Sequence, residues 1–255
     1  MSHTAPVLFV GHGSPTNAIG DNPARRGWID LGKKLEKPKA ILSISAHWMV
    51  TSPVVRRSEE NPQVYDFYGF PQALYEVKYT PKGDLSVAER VVDLVPGCVV
   101  DNTWGLDHGA WSVLASIFPD ADVPVVPFGV DNRATPRELF EIGQALKPLR
   151  DEGVMIVASG NVVHNLRRVD WGSASGFDWA DAFDKKIGDF IKEKDFDGVI
   201  DYRLLPEAPL AVPTPDHFYP LFYALGAVDQ DDSVEVFNDY RELGSMSMTS
   251  YLFHR

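Results

Sequence analysis

The sequence has few features that would stabilise a secreted protein or anchor one in a membrane. It has one cysteine, Cys98, among 255 residues, so no internal disulfide is available. No apolar run approaches the roughly 20 residues that a membrane-spanning helix needs, and residues 1–6 lack the basic start and hydrophobic stretch of a secretion signal. These absences predict a cytoplasmic protein with no membrane partner.

Positive charge is also scarce. Lys and Arg number 24 against 36 Asp and Glu, which gives a formal net charge of −12 at pH 7. Because an acidic surface repels phosphate backbones, nucleic acid is excluded as a partner. With 44% hydrophobic and 24% charged residues, the composition is typical of a globular protein with a substantial core.

The motifs of several common enzyme classes are missing. The chain has neither the Gly-x-Gly-x-x-Gly pattern of dinucleotide-binding folds nor the Gly-x-x-x-x-Gly-Lys-Ser/Thr loop that holds nucleotide phosphates. Gly-x-Ser-x-Gly, the nucleophile turn of α/β-hydrolases, is absent as well. One cysteine cannot build a cysteine-rich structural zinc site. Metal chemistry based on histidine is the class that remains.

Short apolar runs alternate with segments of helical periodicity. Buried strands are predicted at residues 7–10, 40–45, 123–130 and 154–158, with a late strand at 234–237. Helices are predicted at residues 24–35, 85–95, 110–118, 136–149 and 179–192. This alternation indicates an α/β fold: a single-domain three-layer sandwich with a largely parallel or mixed central sheet and helices on both faces.

Proline and acidic residues mark several boundaries. Thr135-Pro136 and Thr214-Pro215 each predict a helix start, with threonine as the N-cap and proline in the first turn, and the second helix is expected to run to Gly226. The prolines within and just before residues 207–215 predict an ordered, extended surface loop. The acidic stretch 229–232 is interpreted as a solvated turn before the late strand.

Three of the seven histidines follow predicted strands. His12 comes after the first strand between two glycines, which allow close approach and a positive φ; His47 comes after the second strand and His164 after the fourth. Because ligands bind beyond the carboxyl ends of strands in open α/β sheets, these imidazoles are expected to converge at one edge. Imidazole is the commonest protein metal ligand, so the pattern indicates a metal site. Each histidine taken singly is also consistent with a surface or capping position.

Two further histidines lie at predicted helix starts. His108 follows Asp107, a candidate N-cap, and His217 lies in the first turn of the helix expected after Thr214. Either ring is consistent with a cleft or with a solvent-facing first turn. The terminal His3 and His254 are expected to have no role. Nearby aromatic residues are candidates for an apolar pocket or for the core: Trp48, Tyr65, Phe67, Tyr68, Phe70, Trp104, Trp111, Phe218 and Tyr219.

Six motifs along the chain carry these histidines and their aromatic neighbours. They are Gly11-His12-Gly13-Ser14-Pro15, Ser45-Ala46-His47-Trp48, Asp66-Phe67-Tyr68-Gly69-Phe70-Pro71, Trp104-Gly105-Leu106-Asp107-His108-Gly109, Ala158-Ser159-Gly160-Asn161-Val162-Val163-His164-Asn165 and Thr214-Pro215-Asp216-His217. In this order they resemble the DOPA-dioxygenase type of class III extradiol ring-cleaving dioxygenases. Because the motifs span nearly the whole chain, the resemblance implies a single catalytic domain over residues 1–255.

The resemblance implies a mononuclear non-haem Fe(II) site. His12, His47 and His217 match the family's metal ligands, and His164 matches a further active-site histidine, which is either a fourth ligand or an acid and base beside the metal. Zn(II) can occupy the same nitrogen ligands but has no accessible redox change. His108 is expected to donate a hydrogen bond to bound oxygen or to a substrate oxygen.

The activity implied by the resemblance is extradiol cleavage. Both atoms of O₂ are inserted into a catechol, DOPA-like or another catecholic substrate, to give a ring-opened semialdehyde. His164 is expected to remove the catechol proton and later return one. Residues 210–215 lack the His-Pro motif of the plant pigment-forming members, which leaves the natural catechol open. Glu242 is a carboxylate that either competes as a ligand, supports the ligands, or is an exposed charge.

Two other functions fit part of the pattern. Some tetrapyrrole metal chelatases also begin with a strand followed by His-Gly-Ser, and they place histidines where the metal enters. A non-catalytic binding protein could keep the same fold and metal site. The later motifs favour the dioxygenase over the chelatase, and the complete set of histidines favours an enzyme over a binding protein. The sequence gives no oligomeric state.

Overall fold

A mixed sheet of eight strands forms the centre of the protein. The computed structural model describes residues 4–255, so His3 lies outside the described residues. The strands in this range are β1 (Val7–Gly11), β2 (Ala40–Val50), β3 (Val54–Val55), β4 (Val99–Val100), β5 (Val125–Asp131), β6 (Val154–Gly160), β7 (Ser233–Phe237), β8 (Arg241–Glu242), β9 (Met246–Ser247) and β10 (Ser250–His254). The large sheet has the order β4-β3-β5-β2-β6-β1-β10-β7, and β8 pairs with β9 separately.

Helices cover both faces of this sheet. They are α1 (Pro23–Lys34), α2 (Gln72–Glu76), α3 (Leu85–Leu94), α4 (His108–Ile117), α5 (Pro136–Leu146), α6 (Pro148–Asp151), α7 (Asp178–Glu193), α8 (Phe196–Ile200), α9 (Ala208–Ala211) and α10 (Pro220–Ala227). The longest, α7, has 16 residues. Within residues 4–255, none combines the length and the hydrophobicity of a membrane span.

The predicted α/β fold is confirmed, and the four predicted buried strands form the centre of the sheet. They correspond to β5, β2, β6 and β1, which lie side by side and are parallel. Antiparallel pairs occur toward the edges, where β10 pairs with β1 and with β7, and β3 pairs with β5. The carboxyl ends of β1, β2 and β6 therefore meet at one edge.

Each central strand is buried on both faces. On β1, Val7 and Phe9 belong to one apolar cluster, whereas Leu8 and Val10 belong to the other, because successive side chains point to opposite faces. Residues of α5, α7 and α10 complete the first cluster, and residues of α1 and α4 complete the second. Burial on both faces explains why these strands are continuous apolar runs, and it produces the three layers.

The helix expected after Thr214 begins later, at Pro220. The N–H groups of Phe218 and Tyr219 donate to the carbonyl oxygen of Pro215 at 3.0 and 2.9 Å, which closes a separate turn around His217. Since Pro220 has no N–H, it cannot continue this turn, and it becomes the first residue of α10. The prediction was therefore wrong for this helix start, although Thr135 caps α5 as predicted.

Two other predicted boundaries change at prolines. The helix expected at residues 136–149 divides after Leu146, because Pro148 starts the short helix α6. The extended loop expected at residues 207–215 contains α9, with Pro209 in its first turn. In the first turn of a helix the backbone N–H has no partner within the helix, so Pro209 costs no hydrogen bond there. The helix buries Ala208 and Ala211.

The acidic stretch 229–232 is not solvated throughout, so that interpretation is wrong for Asp232. Its side chain is buried and accepts hydrogen bonds from Nη1 and Nη2 of Arg150 at 2.6 and 2.9 Å. Arg150 is fully buried and also donates to the carbonyl oxygens of Ala5 and Ala227, both at 2.8 Å. A residue distant in sequence therefore compensates the buried charge.

Asp232→Asn is expected to lower the free energy of unfolding by about 3–5 kcal/mol, because it removes the buried carboxylate charge nearest to Arg150 and leaves only Asp229, at 3.7 Å. Urea unfolding followed by circular dichroism measures the change. Asp231→Asn, at the exposed neighbouring position, is the control and should change the free energy by less than about 0.5 kcal/mol. Equal effects of the two variants would contradict a stabilising role for the buried pair.

Candidate metal centre

His12 follows directly from the end of β1. Its backbone N–H donates to the carbonyl oxygen of Gly160 at 3.1 Å, which joins the ends of β1 and β6. Gly13 has a φ of 59°, and a Cβ at this position would lie 2.6 Å from Sδ of Met248. The expectation that glycine beside His12 permits close approach and positive φ is therefore confirmed at Gly13.

His47 lies within β2 and not after it, which corrects the predicted end of this strand. β2 pairs regularly with β6 as far as Ser45, and its register with β5 shifts between Ile44 and Met49. An irregularity of this kind turns a side chain out of the normal alternation. His47 occupies the irregular segment, and its Nε2 atom lies 3.1 Å from Nε2 of His12.

His217 is held against the end of β6. Its carbonyl oxygen accepts a hydrogen bond from the N–H of Asn161 at 2.8 Å. Gly160 packs on the same carbonyl, and a Cβ at this position would lie 2.1 Å from the oxygen. A glycine is therefore required where the His217 turn meets the sheet.

The rings of His12, His47 and His217 form a nearly equilateral triangle. Their centroids are separated by 5.1 Å for His12 and His47, 5.2 Å for His12 and His217, and 5.0 Å for His47 and His217. The structure thus brings together three histidines that are far apart in sequence. Centroids about 5 Å apart place the three rings in one cluster of the donor type that binds transition metals.

The hydrogen bonds of Ser159 define which nitrogen of His12 carries a proton. Its hydroxyl donates to the carbonyl oxygen of Gly109 at 2.6 Å, so its one proton is used there. The same oxygen lies 2.9 Å from Nδ1 of His12 and must accept from it. His12 is therefore protonated at Nδ1 and has its lone pair at Nε2, the atom that faces His47.

Carboxylates stand at the Nδ1 atoms of the other two rings. Oδ2 of Asp216 accepts from Nδ1 of His217 at 2.7 Å. Oδ2 of Asp66 lies 3.2 Å from Nδ1 of His47. Carboxylates behind metal-binding histidines fix the ring orientation and make Nε2 a stronger ligand.

Burial and neighbouring imidazoles disfavour protonation of three rings in the cluster. Burial, together with the neighbouring imidazoles, lowers the pKa of His12 well below its ordinary value. The same two causes lower the pKa of His47 to about 2 and that of His164 to about 3. A neutral imidazole offers its lone pair to a cation, whereas a protonated one repels it.

His164 stacks on His217. The two ring centroids are 3.5 Å apart and the planes differ by 8°. The lone pair of an imidazole lies in the plane of its ring, so one cation cannot lie in the planes of two parallel, stacked rings. If His217 is a ligand, this geometry favours an acid and base role for His164 over that of a fourth ligand to the same cation. Neither ring nitrogen of His164 has a hydrogen-bond partner among residues 4–255.

His108 is the fifth histidine of the cluster. It is the first residue of α4, and Asp107 caps this helix by accepting from the N–H of Ala110, as predicted. The His108 ring centroid lies 4.0 Å from that of His47. Asp66 accepts from the backbone N–H of His108 through Oδ1 and from its Nδ1 through Oδ2, both at 2.9 Å.

In the described part of the chain, residues 4–255, two groups of side chains have their ligand atoms within 4.8 Å of one another: His12, His47 and His108, and His164, Asp216 and His217. Among the described residues, Glu242 belongs to neither group. Its Oε1 accepts a hydrogen bond from the hydroxyl of Tyr240 at 3.2 Å, and burial raises its pKa. Within residues 4–255, the structure therefore gives Glu242 a tyrosine partner and no histidine.

An aromatic wall stands beside His108. The ring of Phe67 is edge-on to that of His108, with centroids 5.7 Å apart, and it also contacts Phe70 and Trp111. The other candidate aromatic residues divide between the core and the surface. Phe218 is buried in the apolar cluster, whereas Tyr68 is 92% exposed.

Three acceptors in the cluster were not singled out from the sequence: Asp66, Ser159 and Asp216. Asp216 is adjacent to His217, and Asp66 begins the aromatic motif, so both had a local signal. Ser159 had none beyond its position next to Gly160. Its role depends on the carbonyl of Gly109, which only the fold brings within reach.

The geometry agrees with a comparison against protein families. Residues 1–254 match the family described as the catalytic LigB subunit of aromatic ring-opening dioxygenase. The chain belongs to this family. The resemblance inferred from the six motifs is confirmed, and the protein is a dioxygenase and thus an oxidoreductase. Enzymes of this family depend on a metal, which agrees with the histidine cluster.

Relatives within this family align over almost the whole chain. The 4,5-DOPA dioxygenase extradiol of Escherichia coli strain K12 is 42% identical over 98% of this chain and 95% of that protein. The protein of the same name from Beta vulgaris is 37% identical over 97% and 96%. The crystal structure of an uncharacterized protein from Escherichia coli K12 has a TM-score of 0.86 at 37% identity, covering 97% of this chain and 99% of that one.

Gly160→Ala is expected to lower the free energy of unfolding by about 1–3 kcal/mol, because the new Cβ would meet the His217 carbonyl and force the turn away from β6. Urea unfolding measures this change. Gly172→Ala is the control, since the nearest atom to its Cβ, an oxygen of Asp170, lies 3.4 Å away in an exposed loop. A Gly160→Ala protein as stable as the control would contradict the close approach.

Proposed function

We propose that the protein is an Fe(II)-dependent extradiol dioxygenase that opens the ring of a catechol to give a semialdehyde. The observation that carries this proposal is the triangle of three imidazoles in a chain whose family opens aromatic rings. The named relatives make a DOPA-like catechol the first substrate to test. Residues 1–255 act as one catalytic domain, located in the cytoplasm.

His12, His47 and His217 would hold the metal through their Nε2 atoms. The donor set fits, because burial and neighbouring imidazoles depress the pKa of His12 and His47, and each Nδ1 atom has an oxygen neighbour. Imidazole nitrogen accepts both iron and zinc. Because zinc has no accessible redox change, Fe(II) is the active metal and Zn(II) an inactive occupant of the same site.

Iron in this site would supply a redox-active Lewis acid at which a catechol and O₂ are held together. The protein supplies the proton transfer. His164 takes a proton from a catechol hydroxyl at one ring nitrogen and later returns it to an oxygen of the product. Its stacked position beside His217 and its free ring nitrogens support this role.

The aromatic wall around Phe67 is the proposed contact for the substrate ring. Phe67 and Phe70 keep partly exposed apolar surface near His108, with the buried Trp111 packed behind Phe67, and a flat aromatic ring packs well on such a surface. Exclusion of water there strengthens the polar contacts of the substrate hydroxyls. The substrate is thus a small aromatic molecule, with O₂ as co-substrate.

The family match argues against the tetrapyrrole chelatase, because it assigns residues 1–254 to ring-opening dioxygenases. A non-catalytic binding protein predicts a different result in solution. Such a protein would bind iron without consuming O₂ when a catechol is added, whereas the proposed enzyme consumes one O₂ for each catechol opened.

Metal binding should depend on three of the five clustered histidines. His12→Ala, His47→Ala and His217→Ala are each expected to weaken Fe(II) binding by at least about 100-fold, since each removes a proposed ligand. Anaerobic titration with a competing chelator measures the affinity. His254→Ala, at the end of β10, is the control and should bind Fe(II) like the wild type. Wild-type affinity in any of the three ligand variants would contradict the proposed site.

His164→Ala is expected to retain Fe(II) but to lower turnover of a DOPA-like catechol by about 10²–10⁴-fold, because it removes the proposed proton acceptor. Oxygen uptake and the visible absorbance of the semialdehyde measure turnover. Loss of iron equal to that of His12→Ala would make His164 a ligand instead. No ring opening by iron-loaded wild-type protein with any of a panel of catechols would overturn the proposed function.

A further inference from the structure

Asp66 uses both of its carboxylate oxygens within the histidine cluster. It begins the segment that leads to Phe67, and its side chain is 11% exposed. Oδ1 accepts from the backbone N–H of His108, and Oδ2 accepts from Nδ1 of the same residue, both at 2.9 Å. Oδ2 also lies 3.2 Å from Nδ1 of His47. One side chain thus contacts two of the five rings.

The two hydrogen bonds to His108 constrain the backbone and the ring together. His108 is the first residue of α4, where the N–H groups have no partner within the helix. Asp66 satisfies one of these groups with one oxygen and holds the ring with the other. The His108 ring therefore cannot rotate without breaking its hydrogen bond to Asp66, and Asp66 is itself fixed by the backbone N–H at the start of α4.

The same pair of bonds decides where His108 carries its proton. A carboxylate accepts at both oxygens and donates at neither, so Nδ1 must be the protonated nitrogen. In a singly protonated ring, Nε2 then has the lone pair. His108 in this state accepts a hydrogen bond at Nε2, whereas the sequence led to the expectation of a donor.

We propose that Asp66 is a positioning residue that keeps His108 in the Nδ1–H form, so that Nε2 accepts a hydrogen bond from a substrate hydroxyl. This inference rests on the proposed function for the identity of the hydroxyl, which belongs to the catechol. The contacts of His108 with His47 and with Phe67 place its ring between the proposed metal ligands and the aromatic wall. The site thereby selects aromatic substrates that carry a free hydroxyl.

Asp66→Asn separates this role from a merely structural one. Asparagine has nearly the same shape but only one acceptor oxygen, and its amide nitrogen donates. If the side-chain oxygen of the asparagine still accepts from the backbone N–H of His108, its amide nitrogen faces Nδ1 of His108. Since that amide donates, Nδ1 must then accept. The proton of His108 is then expected to move to Nε2, which converts this atom from an acceptor into a donor.

The test is ¹⁵N NMR of zinc-loaded protein labelled at histidine, with the His108 signals assigned by their loss in His108→Gln. Wild-type protein is expected to show His108 protonated at Nδ1 alone, and Asp66→Asn is expected to show it protonated at Nε2. Asp84→Asn, which changes the N-cap of α3, is the matched control and should leave the His108 signals unchanged. Wild-type His108 protonated at Nε2 would overturn the proposal without any variant.

Catechol affinity of the same zinc-loaded proteins gives a second readout. Asp66→Asn is expected to weaken binding of a DOPA-like catechol by about 10–100-fold, in the range found for residues that orient active-site groups. An unchanged proton position together with unchanged affinity in Asp66→Asn would overturn the role of Asp66. Failure of the proposed function has a different signature: iron-loaded wild-type protein would open no catechol ring, whatever the proton position of His108.

Discussion

Five imidazole rings share one crowded, largely enclosed space, which makes protonation of His12, His47 and His164 unfavourable. A proton on any of these three rings would place a positive charge beside other imidazoles in a region shielded from water, and burial with crowding accordingly depresses their pKa values. The neutral form of these three rings, in which each ring has one nitrogen lone pair free, is therefore favoured. Binding of a cation uses these lone pairs, so the crowding that disfavours protons favours a metal.

The fold supplies the positions of these rings through three strand ends. β1, β2 and β6 are adjacent parallel strands, and His12, His47 and the contact surface of His217 lie at or near their carboxyl ends. The irregular register of β2 directs His47 toward His12, and the absence of a side chain at Gly160 lets the His217 turn approach the sheet. Loops above such an edge can vary while the strand ends keep the rings in place.

Oxygen acceptors behind the rings determine what each ring can do. The contacts of Ser159, Asp216 and Asp66 at Nδ1 leave Nε2 as the nitrogen available to a cation in the three proposed ligands. The stacked His164 ring has no such acceptor among the described residues, so its nitrogens are free to exchange a proton. The proposed ligands and the proposed base are all histidines. Their different roles therefore follow from the hydrogen-bond partners around each ring.

The central sheet could be predicted from sequence because strands buried on both faces are short apolar runs, as at residues 7–10 and 154–158. The histidines could be identified because His12 and His164 follow such runs. The irregularity of β2 at His47 could not be predicted from sequence, since it depends on the pairing of β2 with β5. The buried ion pair of Arg150 and Asp232 could not be predicted from local sequence patterns either. An acidic stretch is predicted to be exposed unless a distant basic partner is known.

Contacts within the site, too, could be predicted from sequence only where they are local. The Asp107 cap is a local signal and was predicted, whereas the hydrogen bond from Ser159 to Gly109 joins two segments that only the folded sheet brings together. Sequence therefore predicted which histidines gather at the site, but not the acceptors behind them. The protonated nitrogen of each ring depends on contacts between distant segments, and those become visible only in the structure.

The most direct measurement is X-ray diffraction at the iron absorption edge from crystals of iron-loaded protein, because the anomalous signal locates the metal itself. The account predicts one peak bound by Nε2 of His12, His47 and His217, at an ordinary metal–nitrogen distance of about 2.1 Å. A peak bound instead between His164 and Asp216, or one that His12 and His47 do not share, would contradict it.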